Sequence, residues 1–415
     1  MGTRIHTVVI GGGHAGLNTS RALQRAGIDH VVLERGRVGE TWRTQRWESF
    51  RLNTPSWSSA LVDFDQVPGD PDGFMDVRQL CEMMQSFVEH FGLPIRENTD
   101  VHRVTRSGAD FVVEAADGEE WVAENVIVCS GSQNVPKLPD LAHDLSGVAQ
   151  LHAAEYRNPH QLEDGAVLVV GSAQSGCQIA EELADVGRTT ILCASNVASV
   201  PRRHRGRDVV AWMMDMGVAH TPVGALEDPR ARYAAQPMLS GNDGGHSISL
   251  HSLARRGVTV VGRLVGAEGT RLQIGDNLGE AAEMGLASLA QVRENIDTYI
   301  AEHGIEAPSA TADGALEPDA QLAETAAIRE IDVVEQGIST VIWATGFGGD
   351  FSYLDLDLEF DEAGVPIHDD GVSAVDGLYF VGFSWLRQQS SGLIYGSGLD
   401  AEFIADKVRT AAGVA

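Results

Sequence analysis

The residues of this chain whose types and spacing could do chemistry stand in two glycine-rich turns. In the first, the β-forming run Thr7-Val8-Val9-Ile10 enters Gly11-Gly12-Gly13-His14-Ala15-Gly16. Gly11 suits a tight turn, Gly13 leaves room for backbone N–H groups to approach a pyrophosphate, and Gly16 lets the following helix pack closely on the strand. The N-terminus of that helix adds partial positive charge for the phosphate. Glu34 stands eighteen residues after Gly16, at the end of the run Val31-Val32-Leu33, where a carboxylate can accept from a ribose 2′-hydroxyl. His14 and Ala15 inside the turn, and Arg35, Gly39, Trp42 and Arg43 beyond the carboxylate, are assigned to the same nucleotide.

A second turn repeats the first with two changes. Ala166-Val167-Leu168-Val169-Val170 runs into Gly171-Ser172-Ala173-Gln174-Ser175-Gly176, so the middle glycine is Ala173, whose methyl crowds a pyrophosphate without excluding it. Eighteen residues after Gly176 stands Ala194, not a carboxylate; Ser195 follows, and then Arg202, Arg203, Arg205 and Arg207. Arginines in place of an acid accommodate a 2′-phosphate, which points to NADPH, with Arg202 and Arg203 as its principal partners.

These turns need strands and helices to hold them. Leu17 to Ala26 reads as the helix after the first turn, and Cys177 to Val186 as the helix after the second, followed by a strand at Thr189 to Cys193. Val77 to Phe91 carries apolar residues on one helical face, and Val101 to Val104, Phe111 to Ala115 and Glu120 to Val122 alternate as antiparallel strands. Val126 to Cys129 enters Ser130-Gly131, Ser339 to Trp343 leads to Ala344-Thr345-Gly346-Phe347, and Leu378 to Val381 enters Gly382. Trp47 to Pro71 reads as a long ordered loop. Glu280 to His303 reads as an amphipathic helix through Met284, Leu289, Val292, Ile296 and Ile300, and Ala401 to Val408 as the last helix. The expected fold is α/β, with two Rossmann-like dinucleotide-binding domains, the NADP domain inserted into the FAD domain. Residues 1–138 and 336–415 would form the FAD unit and residues 139–335 the NADP unit. Val101, Ser130, Gly131, Gly382, Leu393 and Ile394 are assigned to the flavin, and Thr345, Gly346 and Phe347 to the crevice that the units share.

Composition narrows the function classes. A net charge of −29 over 415 residues opposes a nucleic-acid or anionic-membrane surface, which needs clustered Lys and Arg. No apolar run approaches the ~18 residues of a membrane helix, and the first strand begins too early for a signal peptide, so a cytoplasmic protein is expected. Cys81, Cys129, Cys177 and Cys193 are scattered, which disfavours a flavin disulfide reductase with its closely spaced redox pair. The 14 histidines form no H-x-x-x-H pair, and no metal is expected.

Both glycine motifs, the Ala344-Thr345-Gly346-Phe347 element and Asn53 in Leu52-Asn53-Thr54-Pro55 carry a likeness that runs over nearly the whole chain. Leu145 to Tyr156 adds to it, being similar to the fingerprint F-x-G-x-x-x-H-x-x-x-[YF], with Leu145 in place of Phe and one extra residue between Gly147 and His152. The chain resembles the class B flavoprotein monooxygenases, specifically bacterial flavin-containing monooxygenase-like proteins. That resemblance implies FAD reduced by NADPH, a flavin hydroperoxide formed with O2, and transfer of one oxygen to nitrogen, sulfur or a ketone of a small organic substrate. It also implies that Asn53, matching the family's active-site Asn, donates to the peroxide or to NADP+. Competing classes are a flavin or ferredoxin-type reductase and an NADPH oxidase. A homo-oligomer is compatible with all of them, and Trp47 to Phe74, Trp212 to Leu239 and Trp385 to Ser391 are the expected pocket walls.

Overall fold

The structure, a computed structural model, describes residues 2–411. Strand β1 (Thr3–Ile10) becomes buried over its last four residues, where Val9 faces a helical layer and Val8 and Ile10 face a cluster of strand and loop residues that includes Phe111, Val113 and Phe351. It pairs in parallel with β2 (His30–Leu33) on one side and β6 (Glu120–Val128) on the other. β3 (Ile95–Arg96) extends the β2 edge, while β4 (Val101–Ser107) and β5 (Asp110–Ala115) form an antiparallel hairpin on β6. β6 is shared along its length. Glu120–Ala123 pairs with β5, and Val126–Val128 pairs in parallel with Leu378–Phe380, some 250 residues later.

Helix α1 (His14–Arg25) packs Ala22 and Leu23 against Ala401, Ile404, Ala405 and Val408 of the C-terminal helix Ile394–Ala411. That helix begins seven residues before the expected Ala401 and takes in Gly396 and Gly398, which sit where close neighbours leave no room for a side chain: an added Cβ at Gly396 would lie 1.9 Å from the Ser390 carbonyl oxygen. After the short helix α2 (Glu40–Thr44), the loop from Trp47 to Pro71 is ordered by its own packing, with Trp47 and Phe50 meeting edge to face at 5.1 Å. α3 (Val77–Phe91) starts in a capping box between Asp76 and Gln79 and buries Leu80, Met83, Met84 and Phe87, the expected face.

The second sheet is parallel throughout, in the order 259–261, 190–193, 166–170, 338–343, 149–152. Its second-turn helix is α4 (Gln174–Asp185). Strand Ile338–Trp343, assigned from sequence to the FAD unit, is hydrogen-bonded between Ala166–Val170 and Ala149–His152, so the second sheet takes it in. The chain returns only after it: Phe347–Gly348 runs antiparallel to Val135–Pro136, and this pair is the crossing between the units. Helix Leu278–His303 forms as expected and buries Leu289 and Ile296, but its first turns bury Leu278, Ala281, Ala282 and Gly285, and Met284 is exposed. No helix among the described residues is long and apolar enough to cross a membrane.

Candidate active site

The first turn opens onto a cleft of about 550 Å³ at the carboxyl ends of β1, β2 and β6. Its glycines differ in what they need. Gly11 has φ +108°, and a Cβ there would lie 2.5 Å from the Cys129 carbonyl oxygen; at Gly16 a Cβ would lie 1.8 Å from the Gly11 carbonyl oxygen. Gly13 has nothing within 4 Å of a Cβ position, so it faces the open cleft, where a pyrophosphate approaching the N-terminus of α1 has room. The residues present fit a dinucleotide. Of the residues assigned to the flavin from sequence, Gly11, Gly13, His14, Ala15, Glu34, Arg35, Gly39, Trp42, Val101, Ser130, Gly131 and Gly382 line this cleft.

Glu34 is buried, and its carboxylate accepts from the backbone N–H of Gly12 at 2.6 Å and of Gly36 at 2.9 Å. Burial raises its pKa and the two N–H donors oppose that rise. A carboxylate has about four lone-pair sites, so Glu34 braces the turn and keeps capacity for a ribose hydroxyl. The His14 ring is enclosed, burial lowers its pKa to about 4, and its Nε2 has no protein partner. A neutral imidazole therefore lines the cleft. Cys129 also lines the cleft, but its thiol is pushed up to about 12 by burial, which makes it a packing residue.

Three flavin assignments move. Arg43 does not line the cleft, because its Nε donates to the Val38 carbonyl at 3.1 Å. Leu393 turns outward at 45% exposure, and Ile394 is buried in the first turn of its helix; the lining residue of that segment is Gly392. Sequence reasoning missed Arg46, Thr99 and Asn134, which also line the cleft. None belongs to a motif, and only the fold brings them there.

The second turn opens onto a larger cleft of about 740 Å³ and repeats the first in detail. Gly171 has φ +108° with a Cβ position 2.5 Å from the Ala344 carbonyl oxygen, and Gly176 would place one 1.8 Å from the Gly171 carbonyl oxygen. Gly176, like Gly16, thus serves helix–strand contact and does not line its cleft. Gly171, Ser172, Ala173, Gln174, Ser175, Ser195, Thr345, Gly346 and Phe347 line this cleft. Ser172 and Ser195 close the strand ends together, Ser195 N–H donating to the Ser172 hydroxyl at 2.9 Å. His152 lines it too, with both nitrogens engaged: Nδ1 accepts from the Ala154 N–H, and Nε2 meets the Gly346 carbonyl at 3.1 Å. Burial lowers its pKa, so a neutral His152 pins the returning chain to the second sheet.

Arg202 and Arg203 lie elsewhere. Arg202 is 2% exposed, bound to Asp208 at 2.5 Å and to the Asn53 carbonyl at 2.7 Å, with its guanidinium over the Phe74 ring. Arg203 donates to the carbonyls of Gly244 and Gly245, Arg205 pairs with Asp297, and Arg207 pairs with Asp215. After Asn196 the chain leaves the strand ends for a hairpin, so closeness in sequence did not become closeness in space. The cations that line the second cleft are Lys137, Arg232 and Arg263. Arg263 follows strand Thr259–Val261, which is parallel and adjacent to Thr190–Cys193, and its guanidinium has no acceptor among the described residues.

Asn53 lines neither cleft. Its Oδ1 accepts from Gln178 Nε2 at 2.7 Å, and its carbonyl accepts from Arg202, so it ties the loop of the first unit to α4 of the second. The two clefts share Ser132, Gln133 and Ser384 in their linings.

Residues 8–213, about half of the chain, match the pyridine nucleotide-disulphide oxidoreductase family model. An uncharacterised CzcO-like oxidoreductase of Geobacillus kaustophilus is 27% identical over 406 residues, 97% of this chain and 98% of that one. The flavin-containing monooxygenase FMO GS-OX3 of Arabidopsis thaliana is 29% identical over 221 residues, 45% of this chain and 48% of its own length. Among solved structures, a flavin-containing monooxygenase from Stenotrophomonas maltophilia superposes with a TM-score of 0.68 at 20% identity, covering 99% of both chains. The architecture is that of the two-dinucleotide-binding-domain oxidoreductases, and motifs and relatives make this chain similar to the flavin-containing monooxygenases among them.

Proposed function

We propose that the chain is an FAD-dependent, NADPH-consuming monooxygenase acting on a nitrogen, a sulfur or a ketone of a small organic molecule. The observation that carries this reading is the pair of matching glycine turns whose clefts share a wall, with no thiol pair between them. Cys81, Cys129, Cys177 and Cys193 are all free and buried, so a dithiol relay has no residues to work with. FAD suits the first cleft, where Glu34 and the open face of Gly13 wait, and the nicotinamide nucleotide suits the second. A flavin held there would supply hydride acceptance and O2 activation. The chain's own contribution is to hold the two nucleotides against a common wall and to keep water from the meeting point. Preference for NADPH rests on Arg263, Ser195 and Asn196 at neighbouring strand ends, in place of Arg202 and Arg203. Function in the cytoplasm is part of the same reading.

The test is a single balance. NADPH consumption, hydrogen peroxide release and oxygenated product are measured together across a panel of small amines, sulfides and ketones. Stoichiometric product supports the monooxygenase. Quantitative peroxide with every compound identifies an oxidase, and turnover only with an added protein acceptor identifies a reductase.

A further inference from the structure

Among the described residues, Arg46 has no counter-ion. It lines the first cleft, and its guanidinium carbon lies 4.9 Å from the Trp42 ring, 5.5 Å from Phe50 and 5.7 Å from Phe347. Among the described residues its side chain makes one hydrogen bond, from Nη1 to the Gln45 carbonyl at 2.9 Å, and no carboxylate pairs with it. The neighbouring arginines are satisfied by the protein: Arg37 by Glu40, and Arg43 by the Val38 carbonyl. Burial lowers the Arg46 pKa to about 10, and the three ring faces return part of that cost. The group stays charged at neutral pH, with most of its five donors unused in a partly dry cleft. That state suits an anion supplied by a ligand.

Position selects the anion. The diphosphate of a dinucleotide belongs at the Gly11 to Gly16 turn, where backbone N–H groups and the N-terminus of α1 already serve it. Arg46 is packed instead toward the crossing between the units. Phe347, one of its three rings, lines the second cleft, and the adjacent Gln45 donates to the Asn134 carbonyl of the linker at 2.8 Å. Nicotinamide and flavin rings have to meet on that side if a hydride is to pass between nucleotides held in the two clefts. Resting on the FAD and NADPH reading above, we propose that Arg46 is the partner of the negative charge that bound flavin gains with the hydride. The hydride, with its two electrons, leaves nicotinamide C4 for flavin N5; the nicotinamide becomes cationic, and the flavin's new charge settles on its N1–C2=O edge. A guanidinium can offer that edge parallel N–H donors. Arg46 thereby makes the flavin easier to reduce.

The experiment uses the FAD-loaded full chain and compares wild type, Arg46→Gln and Arg46→Lys. Four quantities are read: flavin content, two-electron potential, NADP+ affinity, and affinity for sulfite, which adds to flavin N5 and leaves the same charge on the ring. The expected Arg46→Gln protein keeps its flavin and binds NADP+ as wild type does. Its preference for reduced over oxidised flavin falls about tenfold, which for a two-electron couple is about 30 mV more negative. Sulfite binds about tenfold more weakly, and Arg46→Lys recovers much of both losses. Unchanged potential and sulfite affinity overturn the assignment. So does loss of NADP+ affinity or of flavin content at unchanged potential, either of which makes the anion a phosphate. Arg46→Met keeps the apolar stem against the rings and replaces Arg46→Gln if that variant does not fold. A wild-type chain that takes up no flavin defeats the functional reading itself, and is recognised before any variant is made.

Discussion

Gly13 and Gly11 are glycines for different reasons, and substitution separates them. Gly11 needs its positive φ, so a side chain there strains the backbone whatever the ligand. Gly13 is extended at φ −80°, ψ −176°, with open space where its side chain would go. Gly13→Val is therefore expected to fold with near-native thermal stability and lose the flavin, because the new side chain fills the space meant for the pyrophosphate; absorbance of the purified protein near 450 nm checks it. A second residue-scale prediction follows from the displaced arginines. Arg263→Ala should reduce the preference for NADPH over NADH by about 10- to 100-fold, the equivalent of one charge-assisted hydrogen bond of roughly 1.5–3 kcal/mol, while Arg203→Ala leaves it unchanged. Steady-state kcat/KM with both nucleotides decides between them. The motif residues were legible in the sequence because each glycine answers a local backbone demand. Arg263 and Arg46 were not, since neither belongs to a motif: one becomes useful through a neighbouring parallel strand, the other when Phe347 joins the nearby Trp42 and Phe50 around it.

At the scale of elements, α4 is fastened by a charged cluster on its outer side. Buried Glu181 pairs with His246 at 2.8 Å and with Arg256 at 3.2 Å, and Arg256 also reaches Asp185 at 3.0 Å. The hydrogen bond to Glu181 raises the His246 pKa above its ordinary 6.5, against the opposing effect of burial. Protonated His246 therefore contributes stability that is complete below about pH 6.5 and is lost as pH rises through the raised value. Thermal unfolding followed from about pH 6 to 9 should show this decline, and His246→Gln should be less stable at the acid end and flatter across the range. Periodicity located α3 and helix Leu278–His303 well, because their apolar residues recur at helical spacing. On the longer helix it placed Leu289 and Ile296 inside correctly and missed at Met284: Gly285 lies close to Ser199 and Met238, so small residues make that contact and Met284 stays outside. Strand Ile338–Trp343 shows the other limit, since an apolar strand carries no mark of which sheet it will join.

Over the whole molecule, the two units meet through a shared apolar core and many polar ties, among them Ser49 to Glu182, Tyr233 to Asp361 and the two that Asn53 holds. Gln178 takes its amide oxygen, which leaves the NH2 of Asn53 as the end free to donate. Asn53→Ala is expected to keep flavin and to oxidise NADPH at near the wild-type rate, while the yield of oxygenated product per NADPH falls by about 10-fold or more and peroxide rises to match. Simultaneous product and peroxide measurement checks it; retained coupling would leave Asn53 a tie between units and nothing more. The nested topology bears on how the protein is made. The second unit's sheet is contiguous, from Ala149 to Trp343, but the flavin cleft is bounded by Gly382 and Gly392 and by a sheet that β6 completes only with Leu378–Phe380. On the ribosome the N-terminal third of the chain emerges with half a cleft and waits while the inserted unit is translated and folds. Flavin capture therefore falls at the end of synthesis, and the cofactor arrives as the fastening that closes the first unit around a partner already folded.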